Sequence, residues 1–278
     1  MYILINDKLI KKKEARLTPL SKGFMYGYGA FETLKVIKGR ICFLKDHIKR
    51  LKDACNKLNI AFEYDLKTLK KKCYRLLKAN NKDYCGIKIV VTKNDTDSDL
   101  IITTRDINYK SIDYKKGFKI CFSKHKRNPE SRLVYLKCNN YLENILERQA
   151  ALNKGYNEVI FMNVYDKICE GAISNIFFIK DKTIYTPSID CGILPGITRK
   201  YIIDIIKKLN FNIKIGKFKK KDLLNAEEIF ISNSLMDIMP ISKLEDKNFK
   251  INKRNITYTF LKEYKKMLGE LNENTTDI

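Results

Sequence analysis

The sequence predicts a mixed α/β protein built from two domains, residues 1–112 and residues 113–278. Its 278 residues are enough for two domains, since a domain averages roughly 150 residues. Hydrophobic residues make up 44% and charged residues 31%, the composition of a folded globular protein. Short β-rich runs and amphipathic stretches are intermixed without strict alternation. The polar, non-periodic stretch 106–117 marks the expected boundary between the domains.

Apolar runs in the first domain predict hairpins, and apolar spacings of three and four residues predict amphipathic helices. Leu44, Ile48, Leu51, Cys55 and Leu58 show the helical spacing most clearly. The predicted elements, in order, are a hairpin opened by Tyr2–Ile5, a hairpin of Glu32–Lys38 and Arg40–Phe43, helices Leu44–Ile60 and Leu66–Ala79, and strands Gly86–Thr92 and Leu100–Thr104.

The second domain repeats this mixture and adds a glycine- and proline-bearing loop, Gly192–Arg199. Thr198 in that loop is a good N-cap residue for the helix expected after it. The predicted strands are 118–123, 133–136, 158–162, 175–179, 183–185, 213–215 and 228–231, and the predicted helices are 139–153, 200–209 and 258–268.

Fifty-five basic and 32 acidic residues give a net charge of +23, which raises the possibility of nucleic-acid binding. The lysines are spread along the whole chain, and no aromatic-interleaved basic patch or zinc-finger pattern is present. A solvated, lysine-rich surface is therefore favoured, with a basic nucleic-acid-binding protein as the distant alternative. A basic surface also suits a small anionic substrate.

Eight cysteines and two histidines limit the possible chemistry. No two cysteines lie within four residues of each other, so the close pairs of zinc and redox motifs are missing. We expect the cysteines to be reduced, buried thiols. Two histidines are too few for a multi-histidine metal site. Apolar runs such as Val159–Met162 are too short to span a bilayer, and no signal peptide is recognised, so we expect a cytoplasmic protein without a membrane partner.

Two side chains have candidate catalytic roles. Lys137 ends the β-rich run LVYLK just before a predicted helix, where desolvation could lower its pKa for covalent chemistry with a carbonyl group. Glu170, in ICEGAISNIFF, sits beside small residues and could approach a ligand closely. The ordinary alternatives are a solvated lysine at a strand end and an exposed acid in a hairpin turn.

Several loops could bind an anion. The segment Gly192–Arg199, GILPGITR, leads into a helix start whose amides and dipole attract phosphate, or it is a simple capped loop. Ser232–Leu235 follows a strand and offers hydroxyls and amides. Arg50 shares a helical face with His47 and could bind phosphate, while His47 reads as a packing residue. The run GYGAFET leads into a strand, which excludes a Rossmann motif.

The order of these blocks along the chain resembles the class IV (fold type IV) pyridoxal-phosphate enzymes. The blocks are GYGAFET, HIKRL, LKCNNYLENILERQAA, EGAISNIFF, GILPGITR and SNSLMDIMP, and the resemblance runs from about Tyr2 to Ile241. It implies a smaller N-terminal α/β sandwich, and a larger C-terminal pseudo-barrel with flanking helices that carries the cofactor lysine. It also implies pyridoxal 5′-phosphate as cofactor and a homodimer.

The resemblance assigns roles to individual residues. Lys137 would carry the cofactor covalently and act as proton-transfer base, Tyr141 would approach the cofactor phenolate, and Glu170 would keep the pyridine nitrogen protonated. The other implied cofactor-binding residues are Arg50, Ser174, Asn175, Ile197, Thr198 and Ser234. The implied substrate-side residues are Tyr26, Phe31, Thr33 and Lys88, the last where relatives often carry an arginine.

Within the family, NSLM followed by MP is most similar to the aminodeoxychorismate lyases. This similarity implies elimination of pyruvate from 4-amino-4-deoxychorismate to give 4-aminobenzoate for folate synthesis. The alternative is a branched-chain or D-amino acid aminotransferase, because small changes alter the substrate on this scaffold.

Overall fold

The computed structural model describes residues 1–95, 97–252 and 254–274, and it divides the chain into two compact units. The first unit contains Met1–Asn108 and Leu136–Tyr141, and the second contains Tyr109–Tyr135 and Leu142–Glu270. No helix in the described ranges is long and apolar enough to cross a membrane.

The first unit is a six-stranded antiparallel sheet with two long helices packed on one face. Its strands follow the order β2-β1-β6-β5-β3-β4. The elements are β1 Tyr2–Ile5, β2 Lys8–Lys11, α1 Lys22–Tyr26, β3 Gly29–Ile37, β4 Arg40–Ile41, α2 Leu44–Lys57, α3 Leu66–Asn80, β5 Cys85–Lys93 and β6 Ser98–Arg105. All the strands and helices predicted here are present, and the short helix α1 is additional.

Alternation along β3 and β5 separates the two faces of this sheet. The face with Leu34 and Ile87 packs against α2 and α3 in a core that includes Leu51, Cys73 and Leu76. Phe31, Thr33 and Lys88 lie on the opposite face, since Thr33 is paired directly with Lys88. Helix α3 begins at an N-cap, Asp65, whose side chain accepts a hydrogen bond from the Thr68 amide.

The second unit contains a nine-stranded mixed sheet with the order β12-β11-β10-β13-β14-β7-β8-β9, and β15 pairs with β14. The sheet curls, because β9 at one end of this order lies against β10 and β11 near the other end. The elements are α4 Ser111–Lys116, β7 Phe118–Phe122, α5 Leu142–Asn153, β8 Glu158–Met162, β9 Ile168–Gly171, β10 Asn175–Lys180, β11 Thr183–Pro187, α6 Ile197–Lys208, β12 Ile213–Gly216, α7 Lys220–Leu224, β13 Glu228–Asn233, β14 Asp237–Leu244, β15 Lys247–Asn248 and most of α8 Ile256–Asn274.

The segment that carries Lys137 packs in the first unit and not with the chain on either side of it. It pairs with the start of β3, where the Phe31 amide donates to the Lys137 carbonyl at 2.8 Å and the Asn139 amide donates to the Gly29 carbonyl at 2.9 Å. A side chain at position 29 would collide with Asn139 and with the Val91 carbonyl, so this pairing requires glycine. The sequence-based domain limits, 1–112 and 113–278, stay a prediction. The structure differs from them because it places Leu136–Tyr141 in the first unit.

Candidate functional site

Lys137 does not end a strand. The predicted strand 133–136 is wrong, because Arg132–Tyr135 forms a 3₁₀ turn. Hydrogen bonds from the Glu130 amide to the Asn128 side chain and from the Tyr135 hydroxyl to the Pro129 carbonyl, at 2.9 and 2.7 Å, bend the chain there. Local turn chemistry overrides the β-rich composition. The helix predicted from Asn139 begins later, at Leu142, because residues 137–139 are paired with β3.

Aromatic rings surround the Lys137 ammonium in the first unit. Its Nζ atom lies 4.6 Å from the centroid of the Phe31 ring and 5.7 Å from that of Tyr141. The two rings meet edge to face with centroids 5.4 Å apart. The structure thus brings together Lys137, Tyr141 and Phe31, which the sequence predicted as site residues.

Lys88 contacts the same ring, with its Nζ atom 4.4 Å from the Phe31 centroid. Burial lowers the pKa of Lys88, and the positive charge of Arg105 lowers it further. Thr33, opposite Lys88 on β3, completes a row of predicted substrate-side residues on this sheet face. Tyr26 differs, because it ends α1 with 68% of its surface exposed, and its predicted substrate role stays a prediction.

Arg50 is held by a residue that the sequence analysis missed, Glu32. Arg50 Nε lies 2.6 Å from Glu32 Oε1, and Nη2 lies 2.8 Å from Oε2. His47 Nδ1 lies 2.6 Å from Glu32 Oε2, and His47 is buried. Burial alone would raise the pKa of Glu32, but Arg50 and His47 outweigh burial and bring it to about 2.

His47 stays neutral because burial lowers its pKa more than Glu32 raises it. Since an ionised carboxylate only accepts hydrogen bonds, Nδ1 of His47 carries the proton in this contact. The packing interpretation of His47 is therefore incomplete, because the ring also bonds a buried charge. The sequence signal for Glu32 was its place in the GYGAFET block, two strand positions before Leu34 on the helix-covered face.

In the second unit, Glu170 is a strand residue and not part of a turn. It lies in β9 and is 7% exposed, so the exposed-acid interpretation is wrong. Three donors bind its carboxylate: Arg127 Nη1 to Oε1 at 2.6 Å, and both Asn175 Nδ2 and the Leu194 amide to Oε2 at 2.9 and 3.0 Å. Arg127 is buried and stacks on Phe161, 4.2 Å from the ring centroid.

Asn175 joins Glu170 to the loop before α6. Its amide nitrogen also donates to the Leu194 carbonyl at 3.0 Å. Gly196 passes so close to the Asn175 side chain that an added Cβ would collide with Oδ1. Ser174, in contrast, donates its hydroxyl to the buried Glu158 carboxylate at 3.0 Å. Asn175 therefore contacts Glu170, as expected of a shared site, whereas Ser174 binds a different acid, Glu158.

The helix after this loop begins earlier than predicted. Helix α6 starts at Ile197 with Gly196 as its N-cap, so the predicted start at Lys200 and the N-cap role of Thr198 are wrong. Gly196 can serve as N-cap because its backbone is extended and has no side chain to clash with Asn175. The amides of Ile197 and Thr198 consequently lie in the first turn, where amide groups have no acceptor within the helix.

The residues beside α6 fit an anionic group such as a phosphate. Ser232 is paired with Asn175, so its side chain lies on the same face of the sheet as the Asn175 amide. Its hydroxyl is buried and has no hydrogen-bond partner among the residues that the structure describes. Ser234 is half-buried in the turn after β13, where Asn233 Oδ1 accepts the Leu235 and Met236 amides at 3.0 and 2.8 Å. An orphaned hydroxyl next to a helix N-terminus is the setting that a bound phosphate completes.

Among the described residues, no group of three or more His, Cys, Asp or Glu side chains is placed to hold a metal ion. The first unit offers a half-buried lysine beside two aromatic rings. The second offers a buried, arginine-paired carboxylate beside a helix start that suits an anion.

Comparisons with known proteins agree with these features. The family model described as amino-transferase class IV matches residues 29–244. The chain is 31% identical over 281 residues to an aminodeoxychorismate lyase of Bacillus subtilis, covering 97% of this chain and 95% of the relative. It is 26% identical over 286 residues to a D-alanine aminotransferase of Listeria innocua, covering 98% and 99%.

The fold is also that of a solved structure. A branched-chain amino acid aminotransferase of Escherichia coli superposes with a TM-score of 0.90 at 22% identity, covering 96% of this chain and 94% of that one. The predicted fold class, a two-layer α/β part with a curled, barrel-like second sheet, is confirmed.

Proposed function

Because the chain belongs to the class IV aminotransferase family, we propose that it is an aminodeoxychorismate lyase that uses pyridoxal 5′-phosphate. The proposed reaction removes pyruvate from 4-amino-4-deoxychorismate and releases 4-aminobenzoate for folate synthesis. The observation that carries the proposal is the 31% identity to the Bacillus subtilis lyase over nearly the whole of both chains. The NSLM block after β13 supports it.

In the first unit, we propose that Lys137 attaches the cofactor through Nζ and afterwards takes the proton from the amine-bearing carbon of the substrate at the same atom. The Phe31 and Tyr141 rings lie 4.6 and 5.7 Å from this nitrogen and form an apolar wall on one side of it. Tyr141 is the proposed partner of the cofactor phenolate. Arg50, held by Glu32, is a proposed phosphate ligand.

In the second unit, Glu170 is the proposed partner of the cofactor's pyridine nitrogen. When bound, the cofactor supplies an electron sink, which works best with that nitrogen protonated. A carboxylate that Arg127, Asn175 and the Leu194 amide hold in place can keep a proton on the nitrogen by charge. The amides of Ile197 and Thr198 and the Ser234 hydroxyl are proposed phosphate ligands. Ser174, which donates its hydroxyl to Glu158, is proposed to stabilise the loop after β9 and not to contact the cofactor directly.

The substrate of the proposed reaction carries two carboxylates, which suits cationic side chains near Lys137. Lys88 lies beside the Phe31 ring, and the charge of Arg105 acts on it. Phe31 and Thr33 would contact the substrate ring, and Lys88 one of its carboxylates. A Lys88 ammonium makes point-charge contacts and lacks the two-bond fork of arginine.

An aminotransferase acting on D-alanine or branched-chain amino acids is the second candidate. The Listeria innocua relative, at 26% identity over 286 residues, favours it. The same lysine and carboxylate would serve, since both reactions begin with proton removal from the amine-bearing carbon.

A substrate panel separates the two functions. The purified enzyme is given aminodeoxychorismate alone, and in parallel D-alanine or leucine with 2-oxoglutarate. The lyase proposal expects 4-aminobenzoate and pyruvate in equal amounts from the first reaction. Amino-group transfer in the second set, with no 4-aminobenzoate in the first, would instead establish an aminotransferase.

We also propose a homodimer in a reducing, cytoplasmic environment. On and beside α1, Leu20, Phe24 and Met25 expose 77%, 74% and 56% of their surface, an apolar patch that suits contact with a second copy. All eight cysteines are free and buried, as expected where thiols stay reduced. Sedimentation at micromolar concentration tests the dimer, and a mass of one chain would contradict it.

A further inference from the structure

Glu32 is a buried acid in the first unit that binds two basic side chains of α2. It has no exposed surface, and Arg50 and His47 are its partners. Arg50 approaches side-on, so that Nε and Nη2 each bond one carboxylate oxygen. Such two-bond pairs fix direction as well as distance, because the guanidinium is planar.

Stability alone gives a weak reason for this arrangement. Burying a charged pair costs desolvation that the attraction between the charges barely repays, and apolar residues of similar size are often as stable. An arginine side chain is also among the costliest to immobilise. The two residues differ in burial, however. The Glu32 side chain is fully buried, whereas 16% of the Arg50 side-chain surface is exposed. The carboxylate is thus an internal anchor, and the Arg50 side chain that it holds keeps some accessible surface.

His47 strengthens the anchor from the same helix. It lies one turn before Arg50, is 1% exposed, and donates from Nδ1 to the oxygen that Arg50 Nη2 also contacts. Three donors therefore fix the carboxylate, and the carboxylate fixes the guanidinium plane. Because that group is rigid, fixing one edge sets the direction of all its N–H bonds.

We propose that Glu32 is a positioning residue that orients Arg50 toward the phosphate of the cofactor, with His47 as its second support. This inference rests on the proposed function, which makes Arg50 a phosphate ligand. Preorganisation of the fork removes an ordering cost at the moment of binding, so the phosphate group gains affinity from a residue that it does not contact.

The test compares two cofactor forms that differ only in the phosphate. Dissociation constants for pyridoxal 5′-phosphate and for pyridoxal are measured by absorbance with the cofactor-free enzyme, for wild type and Glu32→Gln. We expect the preference for the phosphorylated form to fall about tenfold, the scale of one charge-assisted hydrogen bond. Affinity for pyridoxal should stay unchanged. The matched control is Glu63→Gln, which removes an exposed carboxylate of the same unit and should leave the preference intact.

Other outcomes would overturn the inference. An unchanged preference, or an equal loss for both forms, would mean that Glu32 only supports the fold. A second variant, Arg50→Lys, should lower the preference by itself, and Glu32→Gln should then add nothing further; an independent second loss would contradict positioning through Arg50.

Two further controls keep the test decisive. If Glu32→Gln does not fold, Glu32→Asp keeps the charge but shortens the reach, and an unchanged preference in that variant overturns the inference. Wild-type enzyme that binds no pyridoxal 5′-phosphate would remove the proposed function itself, and this inference with it.

Discussion

Arg127 and Glu170 form a buried ion pair between residues 43 positions apart. The sequence pointed to Glu170 through the block EGAISN but gave no sign of Arg127, because nothing in a one-dimensional pattern pairs residues so far apart. Glu32 was missed for a similar reason: its partners Arg50 and His47 were recognised on one helical face, while the acid that joins them lies on a strand. The sequence could therefore predict which residues matter, whereas the side chains that bind them could be identified only from the fold.

Glu170→Gln should separate stability from chemistry. The substitution leaves Arg127 buried without its anion, so we expect a loss of about 3 kcal/mol in the free energy of unfolding. Turnover should fall about a hundredfold, equivalent to roughly 3 kcal/mol in the barrier. Adding Arg127→Met should restore stability, measured by urea unfolding, without restoring turnover. Near-normal rates in Glu170→Gln would show that another residue serves the ring nitrogen.

Lys137→Ala should fold normally but lose covalent cofactor attachment and nearly all turnover. Borohydride reduction followed by peptide mass spectrometry locates the modified lysine. Lys88 is the sharpest control, since its ammonium lies against the same Phe31 ring at a similar distance, 4.4 Å compared with 4.6 Å for Lys137. We expect the label to remain on Lys137 in Lys88→Ala. Label on Lys88 in the wild type would refute the assignment.

Glu32 should make the protein acid-sensitive in a defined range. Its folded-state pKa of about 2 lies below the ordinary value of 4.5, so the stability it contributes is present above pH 4.5 and is lost as the pH falls toward 2. This pH-dependent part, the difference between the ionised and the protonated carboxyl, is about 3 kcal/mol. The difference in unfolding free energy between wild type and Glu32→Gln should therefore shrink from pH 5 to pH 2. A constant difference would contradict the shifted pKa.

At the scale of elements, long amphipathic helices were predictable and short irregular segments were not. Helices α2 and α3 begin at Leu44 and Leu66 as predicted, because apolar residues recur with helical spacing. The last helix was predicted from Tyr258 but begins at Ile256, since the distant Glu228 accepts the Ile256 and Thr257 amides at 2.8 and 2.9 Å. Caps supplied from elsewhere in the chain carry no local signal.

Gly196→Ala should disturb the loop that joins Glu170 to α6. The new Cβ would collide with the Asn175 side chain, so the loop or Asn175 must shift. We expect affinity for pyridoxal 5′-phosphate to fall at least about tenfold, or about 1.4 kcal/mol. Gly269→Ala is the control, because no described residue lies within 4 Å of its added Cβ. A helical alanine there should be neutral or stabilising. Equal affinity in both variants would contradict a role for the close approach.

At the scale of the whole molecule, the order of the blocks along the chain predicted the family, which the match over residues 29–244 establishes. Similarity alone does not identify the reaction, because a lyase and an aminotransferase, at 31% and 26% identity, both align over almost the full chain. The lysine and carboxylate that we propose as catalytic residues would start both reactions, so the sequence blocks that carry them cannot distinguish the outcomes. We propose that substrate selection depends on side chains outside the shared blocks, such as Lys88, on which the charge of Arg105 acts.

The number of turnovers without a 2-oxo acid tests the lyase proposal most directly. Elimination of pyruvate returns the enzyme to its starting form, whereas amino-group transfer stops after one event until an acceptor arrives. Enzyme freed of 2-oxo acids is mixed with a large excess of aminodeoxychorismate, and 4-aminobenzoate is measured per enzyme subunit. We predict many equivalents, with the cofactor's visible absorbance retained throughout. No 4-aminobenzoate, together with loss of that absorbance on adding D-alanine and its recovery with 2-oxoglutarate, would contradict the proposal.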